Sequence, residues 1–437
     1  MMTPEMIGWI SIAALFVLLL LRIPIAFILA AIGFCGFWAI TGIDPALRLA
    51  SLVPYSAVAV HSFSVVPLFI LMGHFVFHAG FATDVYRSAR LWIGRFPGGL
   101  AQATVVAGAA FAAASGSGFA SCATLAKVTI PEMTRFGVNR KLAFGVVAAA
   151  GTIAQMIPPS ILMVMYGIIT EQSVGKLLIA GIFPGLLAAV NYMVMIYIRV
   201  KRNPELAPLI RENVTWKERI ISIKSIWGIA ILGFLVMGGI YSGAFTPSEA
   251  GAVGAFGAFV MALAVKRLNL TNFKECLIDV ARTTGMVFLI IASAFMFGRL
   301  LAVSRIPVTM SEVLVGSDVP RFWILMGVML MYLVMGFFID MLAAMFITLP
   351  VIFPAIVGLG YDPIWFGVLM VHLCEVALIT PPFGLNLFIL KGTMPGIDLK
   401  EVIQGIFPFF IVDLITLALY IAFPQIALYL PSKMMGG

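Results

Sequence analysis

Residues 98–131 read GGLAQATVVAGAAFAAASGSGFASCATLAKVTIP. A straight helix of this length would measure about 50 Å, whereas the hydrocarbon core of a bilayer is ~30 Å thick. The sequence Ser115-Gly-Ser-Gly118 interrupts the run at its centre. It leaves two arms of about 15 residues, each too short to cross a membrane alone. The stretch therefore predicts a re-entrant helical hairpin whose tip lies at membrane depth.

The composition places the chain in a lipid bilayer. Hydrophobic residues make up 62% of the 437 residues and charged residues only 11%, whereas soluble domains carry about 25% charged residues. The formal charge of +8 comes from short segments between apolar runs. These segments lack the interleaved aromatic residues of a nucleic-acid-binding face, so no nucleic-acid partner is expected. We predict an all-α polytopic membrane protein.

Three further apolar runs are interrupted in the same way. Proline removes a backbone donor and clashes with the preceding turn, and unwound backbone inside a membrane persists only where it is buried or lines a cavity. The interruptions predict a second hairpin and two broken helices, an arrangement typical of a transport site. The second hairpin is residues 321–358, broken around Phe338-Ile-Asp340, and the broken helices are 141–170 at Pro158-Pro159 and 363–390 at Pro381-Pro382.

The interruptions repeat at a constant spacing. Three pairs of prolines lie 223 positions apart, and the same shift takes Ser117 to Asp340; the pairs are Pro158 and Pro381, Pro131 and Pro354, and Pro97 and Pro320. We infer an internal duplication, with repeats at 1–205 and 225–437 joined by a basic cytoplasmic linker, 206–224. Five full spans and one hairpin in each repeat predict about ten full spans. An odd number of spans inverts the second copy.

The distribution of Lys and Arg predicts the orientation. With a periplasmic N-terminus, 19 of the 27 Lys and Arg residues are cytoplasmic, Arg22 and Arg211 among them, and six are periplasmic, as the positive-inside rule requires. We therefore expect an inner-membrane protein whose first span is not cleaved. Residues 82–95 and 304–318 are expected to form interfacial arm helices that precede the two hairpins.

Oxygen atoms at the four interruptions are candidate ligands for an alkali cation, because broken helices expose carbonyls and hard cations prefer oxygen. The duplication predicts two related sodium sites. Thr380 is equivalent to Ile157, which has no side-chain oxygen, so the ligand common to both sites is expected to be main chain. The candidates are Ser115, Ser117, Ala154, Ile157 and Ser160 for the first site, and Gly336, Asp340, Ala377, Thr380 and Phe383 for the second.

Polar residues near the interruptions are candidates for the substrate pathway: Ser121, Thr152, Gln155, Glu375 and Asn386. Acids at membrane depth are costly and usually functional. Each candidate has an alternative role. Small residues allow close helix packing, Asp340 and Glu375 could satisfy a helix break, and Asp340 could carry a proton instead of anchoring sodium.

Several common activities lack their motifs. There is no Gly-rich phosphate-binding loop and no His-Glu-x-x-His zinc pair, so ATP-driven transport by this chain is not expected. His74 and His78 have the i, i+4 spacing of metal ligands, but no acidic residue stands beside them in the sequence. No organic cofactor and no catalytic residue is predicted.

The interruptions and their flanking residues resemble the large membrane subunit of the tripartite ATP-independent periplasmic (TRAP) transporters. The resemblance covers both halves and rests on Ala114-Ser-Gly-Ser-Gly118, Ile130-Pro-Glu-Met133, Ile157-Pro-Pro-Ser160 with Tyr166-Gly167, Gly336-Phe-Phe-Ile-Asp340 and Thr380-Pro-Pro-Phe-Gly-Leu-Asn-Leu387. It implies sodium-coupled import of a carboxylate, such as a C4-dicarboxylate or sialic acid, by an elevator movement. It also implies two partners, a small four-helix membrane subunit and a periplasmic substrate-binding protein.

Bulky residues beside the second candidate site depart from a simple ligand pattern. If Phe338, Ile339 and Phe383 point inward, only main-chain carbonyls could bind a cation there.

Two alternatives to the sodium-coupled importer stay open. One is a proton-coupled organic anion transporter that works without a binding protein. The other is an intramembrane lipid-modifying enzyme, although Asp340 and Glu375 lie on different elements without a second acid beside either.

Overall fold

The computed structural model describes residues 2–21, 23–209, 214–337, 339–394 and 396–434, and no β-strand occurs among them. Arg22, Arg211 and Phe338, which the predictions above include, lie outside the described residues. The helices of the first half are α1 (Pro4–Leu20), α2 (Ile25–Thr41), α3 (Ile43–Val58), α4 (Val65–His78), α5 (Phe81–Ile93), α6 (Gly99–Ser115), α7 (Gly118–Arg135), α8 (Arg140–Thr152), α9 (Ile161–Ile169), α10 (Val174–Ala180) and α11 (Ile182–Arg202).

The second half contains α12 (Trp216–Ser225), α13 (Trp227–Tyr241), α14 (Pro247–Ala264), α15 (Leu270–Val303), α16 (Ile306–Val315), α17 (Arg321–Met335), α18 (Met341–Gly358), α19 (Pro363–Ile379), α20 (Leu385–Thr393), α21 (Leu399–Ala422) and α22 (Gln425–Met434). Three short 3-10 helices are also present, His61–Ser64, Ile153–Gln155 and Pro204–Leu206. The chain is therefore all-α.

The spacing of 223 residues also relates the helices. Adding 223 to the bounds of α7, α8 and α9 gives the bounds of α18, α19 and α20 to within four residues, and α2 corresponds to α14 in the same way. One element differs between the halves. The single helix α15 corresponds to α3, a 3-10 turn and α4 together. Pro67 lies in the first turn of α4, where its missing N–H costs no intrahelical hydrogen bond, so it is compatible with a helix that begins at Val65.

Two helix pairs form the most extensive contacts in the molecule, α2 with α15 and α4 with α14. The two pairs are equivalent under the 223-residue shift. The close approach of α2 to α15 depends on Gly33, where an added Cβ would lie 2.8 Å from the Phe297 nitrogen. A second packed group contains α7, α8 and α21. Helix α8 of the first half therefore packs against α21 of the second half as extensively as against its sequence neighbour α7.

Six helical segments in the described ranges are long and apolar enough to cross a membrane, and a seventh is formed if α12 and α13, bent by 48°, count as one span. Further apolar helices of 10–17 residues include α2, α17 and α19. The chain is thus a multi-pass membrane protein, and the number of about ten full spans stays a prediction. The two expected arm helices correspond to α5 and α16.

Candidate functional site

The first hairpin tip is a turn of two residues between α6 and α7. Gly116 adopts a left-handed conformation with φ +58°, and an added Cβ there would lie 2.7 Å from the Pro159 carbonyl oxygen. Ser117 caps α7, its Oγ accepting from the Ala120 N–H at 3.4 Å. The hydroxyls of Ser115 and Ser121 hydrogen-bond to each other at 2.7 Å. The tip therefore contacts the first broken helix directly.

The second tip, between α17 and α18, is capped at the equivalent position. The Asp340 carboxylate accepts from the Leu342 N–H at 3.1 Å. Gly336 packs against Ala377, leaving no room for a Cβ. The structure thus places Gly336 beside Ala377, two residues predicted to share the second cation site.

The two broken helices differ in how their second segments begin. Ser160 caps α9 by accepting from the Met163 N–H at 3.2 Å, whereas α20 starts after Gly384 with no side-chain cap. The Thr380 hydroxyl donates to the Val376 carbonyl at 2.6 Å. Both Pro-Pro bonds, Pro158-Pro159 and Pro381-Pro382, are cis. Hydroxyl oxygens are therefore present at both interruptions.

One cavity of about 340 Å³ brings the interruptions together. Three pairs of its lining residues are equivalent under the 223-residue shift, so the cavity surrounds the axis that relates the two repeats. These pairs are Ser117 and Asp340, Phe119 and Leu342, and Gln155 and Leu378. Helices α4 and α15 also line the cavity and contribute Gly73, His74, Thr283, Met286 and Ile290 among others.

The other predicted site residues occupy different surroundings. Ser115 and Ser117 line the cavity, whereas Ala154 and Ser160 are fully buried. The Ile157 side chain faces Gly185 on α11. Phe383 is 49% exposed and Ile339 is buried. The Phe383 ring packs against Phe337 of the second tip, with ring centroids 6.1 Å apart, so it borders the second interruption.

Of the five residues predicted for the substrate pathway, only Gln155 lines this cavity in the described part of the chain. Ser121 lies behind the first tip, and the Thr152 hydroxyl donates to the Ala149 carbonyl at 2.8 Å. The Asn386 amide donates to the Ala148 carbonyl at 3.0 Å, which ties α20 to α8. All five are buried, and four of them are not among the described lining residues of the cavity.

Glu375 belongs to a buried polar cluster that the sequence interpretation missed. Its Oε2 lies 3.2 Å from His372 Nδ1, and His372 Nε2 lies 3.3 Å from the Asp413 carbonyl oxygen. The Tyr192 hydroxyl donates to Asp413 Oδ1 at 2.5 Å. The i, i+3 spacing of His372 and Glu375 within an apolar helix was the available signal. The cluster joins α11 of the first half to α19 and α21 of the second.

Comparison with known proteins decides the family. Residues 12–426 match the family model described as the tripartite ATP-independent periplasmic transporter, DctM component. The chain belongs to this TRAP transporter family. It is 38% identical to the C4-dicarboxylate TRAP transporter large permease protein DctM of Pseudomonas aeruginosa, over 84% of this chain and 85% of that protein. It is 30% identical to the sialic acid TRAP transporter large permease protein SiaM of Vibrio cholerae, over 100% of this chain and 99% of the relative.

Solved transporter structures share the fold of this TRAP family member. The YdaH transporter of Alcanivorax borkumensis superposes with a TM-score of 0.58 at 14% identity, over 88% of this chain and 90% of that one. MtrF of Neisseria gonorrhoeae gives a TM-score of 0.55 at 12% identity, over 90% and 85% respectively. At this level of identity, the likeness shows the fold alone.

Proposed function

We propose that the chain is the large permease subunit of a sodium-coupled importer of an organic acid, with a binding protein that delivers the substrate. The observation that supports this most directly is the cavity at the repeat axis. It joins both hairpin tips and both broken helices, and it is about the size of a small-molecule site, for which volumes of about 300–1,000 Å³ are usual. Inverted-repeat transporters bind substrate at such a position.

The chemistry of the cavity supports an anionic substrate. Helices α7 and α18 both begin at its wall, and helix N-termini attract anions. The relatives are named as permeases for C4-dicarboxylates, sialic acid, isethionate and 2,3-diketo-L-gulonate, all of which carry an acidic group. An organic acid is therefore the substrate class proposed for this chain.

Sodium is proposed to bind at the two interruptions. The first site would use oxygens of Ser115, Ser117 and the main chain of 154–160, and the second those of Asp340, Thr380 and the main chain near Ala377. Oxygen donors of this kind suit a hard cation. Sodium beside Asp340 would also reduce the repulsion between this carboxylate and an anionic substrate. The two ions would thus make substrate binding depend on sodium.

Movement is proposed to follow the packing of the helices. The hairpins and broken helices would shift as a unit against α2, α4, α14 and α15, which form the two most extensive helix contacts. The chain would lie in the inner membrane with its N-terminus in the periplasm.

Two partner subunits are proposed from the family name, a small membrane subunit and a periplasmic binding protein. The isethionate relative is named a permease protein DctMQ, and the match covers 84% of this chain but 56% of that longer protein. Its additional length is consistent with a second membrane subunit in the same polypeptide. The named relatives are transporter permeases, which favours transport over lipid-modifying catalysis.

The test is uptake into proteoliposomes that contain the complete transporter. Four labelled acids are supplied with its binding protein: succinate, N-acetylneuraminate, isethionate and 2,3-diketo-L-gulonate. We expect an inward sodium gradient to drive uptake of at least one acid, and a proton gradient alone to drive none. Asp340→Asn tests the proton-coupled alternative. If this variant keeps its sodium dependence and loses a pH dependence that the wild type shows, Asp340 carries a proton and its assignment to sodium is wrong.

A further inference from the structure

The part of the cavity lining that comes from α4 and α15 is mostly apolar. It contains Ile70, Met286, Val287 and Ile290, and its polar side chains are His74 and Thr283. Among the described lining residues, His74 is the only one with a basic side chain. The residue equivalent to His74 in the second repeat is Phe297, so the duplication does not account for a histidine here.

His74 stands beside the first tip. The neighbouring residue on α4, Gly73, approaches the tip so closely that an added Cβ would lie 3.0 Å from Ser115 Cα. His74 itself lines the cavity, and its imidazole carries an N–H donor in either protonation state. No group of three or more metal-ligating side chains occurs in the described ranges. The metal role that the spacing of His74 and His78 allowed is therefore not supported.

The tip side of the cavity contains a polar group without a partner. Gln155 is 6% exposed, lines the cavity, and its Oε1 accepts no hydrogen bond from the described residues. A buried amide oxygen left in this state costs free energy unless a ligand satisfies it. The cavity therefore presents a basic donor on one wall and an unsatisfied acceptor on the other.

We propose that His74 binds the acidic group of the transported anion from the α4 wall, while Gln155 accepts a hydrogen bond from the same molecule. The proposal rests on the proposed function and specifies how the substrate is recognised. An imidazole N–H donates a charge-assisted hydrogen bond to a carboxylate or a sulfonate, and Thr283 is the only other side-chain donor among the described lining residues from α4 and α15. His74 would thereby select anions over neutral molecules of similar size.

The experiment measures binding of each of the four acids to the purified membrane complex in saturating sodium, by calorimetric titration. His74→Ala removes the N–H donor, whereas His74→Gln retains an N–H donor on an uncharged amide. We expect the dissociation constant to rise about 10- to 100-fold for His74→Ala, the range for losing a hydrogen bond to a charged group, and less for His74→Gln. Sodium-dependent thermal stabilisation should be unchanged in both variants.

His78→Gln is the matched control, because it alters a histidine one turn away that is not among the described lining residues, and its affinity should equal that of the wild type. Unchanged anion affinity in His74→Ala would overturn the proposal. Loss of sodium-dependent stabilisation in both His74 variants would also overturn it, because that result indicates a structural role for His74. If the wild type binds none of the four acids, the organic-acid function itself fails and this inference fails with it.

Discussion

At the scale of single residues, Thr380 shows how a hydroxyl can serve a helix break in two ways. Its proton is donated to the Val376 carbonyl at 2.6 Å, which satisfies a buried acceptor at the end of α19. The hydroxyl oxygen keeps lone pairs that can coordinate a cation. The equivalent Ile157 has no such oxygen, so the contribution of Thr380 is specific to the second proposed sodium site.

We predict that Thr380→Val weakens sodium binding while leaving expression intact, because the variant keeps the shape and removes the oxygen. Losing one ligand of a buried cation costs about 1–3 kcal/mol, which raises the half-saturating sodium concentration about 5- to 150-fold. Sodium-dependent uptake by the complete transporter measures this. Thr129→Val is a matched control, since Thr129 is also buried and donates to an i−4 carbonyl, that of Leu125 at 2.9 Å. Equal sodium requirements in the two variants would contradict the assignment.

Glu375 shows that residue type and depth in the membrane do not determine where a side chain points. Its presence in an apolar run predicts a functional or structural role. Its direction could not be predicted, because α19 is buried on all sides and lacks a polar face that would orient it. In the structure it pairs with His372 away from the cavity, while Gln155, from the same group of candidates, points into it.

At the scale of helices, α8 and α21 cross at a pair of glycines. A Cβ added to Gly405 would overlap the Lys141 carbonyl oxygen, and one added to Gly145 would overlap the carbonyl oxygen of Gly405. Such contacts leave the helix backbones almost touching, a packing mode common in membrane proteins. Because α8 ends at the first interruption, this crossing also holds one wall of the proposed site in place.

We predict that Gly405→Ala lowers the free energy of unfolding by about 1–3 kcal/mol or more, because overpacking at a backbone contact must separate the two helices. The readout is the thermal unfolding midpoint of the purified protein in detergent. Gly327→Ala is the control, since an added Cβ at this exposed position of α17 meets nothing within 4 Å. It should be neutral or stabilising by up to about 1 kcal/mol. A thermal midpoint equal to that of the wild type for Gly405→Ala would contradict the close contact between α8 and α21.

Helix ends were predicted best where the sequence marks them chemically. The Ser-Gly pair and the double prolines coincide with the observed ends of α6, α8 and α19 to within a few residues. The 34-residue helix α15 was less evident, because only its second part, 284–302, is a continuous apolar run. In its polar first part, Phe273 stacks on Phe75 of α4 with ring centroids 6.1 Å apart and lies 5.7 Å from the Phe259 ring of α14, contacts that no local pattern reports.

At the scale of the whole molecule, the described helices leave little room for a soluble ligand-binding domain. Apart from the basic linker, the connections between consecutive described helices are short. Under the proposed function, a binding protein delivers the substrate to this chain. The complete transporter is therefore the proposed unit of transport.

We predict that the chain reconstituted alone takes up none of the four acids, and that uptake appears when the small membrane subunit and the binding protein are added. Uptake into proteoliposomes under an inward sodium gradient measures this. A preparation that adds only the binding protein separates the contributions of the two partners. Robust uptake by the isolated chain would refute the three-part arrangement.

Local chemistry in the sequence was sufficient to predict the all-helical class, the positions of the four interruptions and the duplication. Apolar run length, proline and Ser-Gly pairs act on their own segment of backbone, so they can be interpreted without knowing the fold. The cavity could not be predicted, because its walls come from segments more than 200 residues apart in the chain. Folding alone brings Ser117 and Asp340 to one cavity and places His74 and Gln155 in the same lining, since these positions depend on how whole helices pack and not on the residues between them.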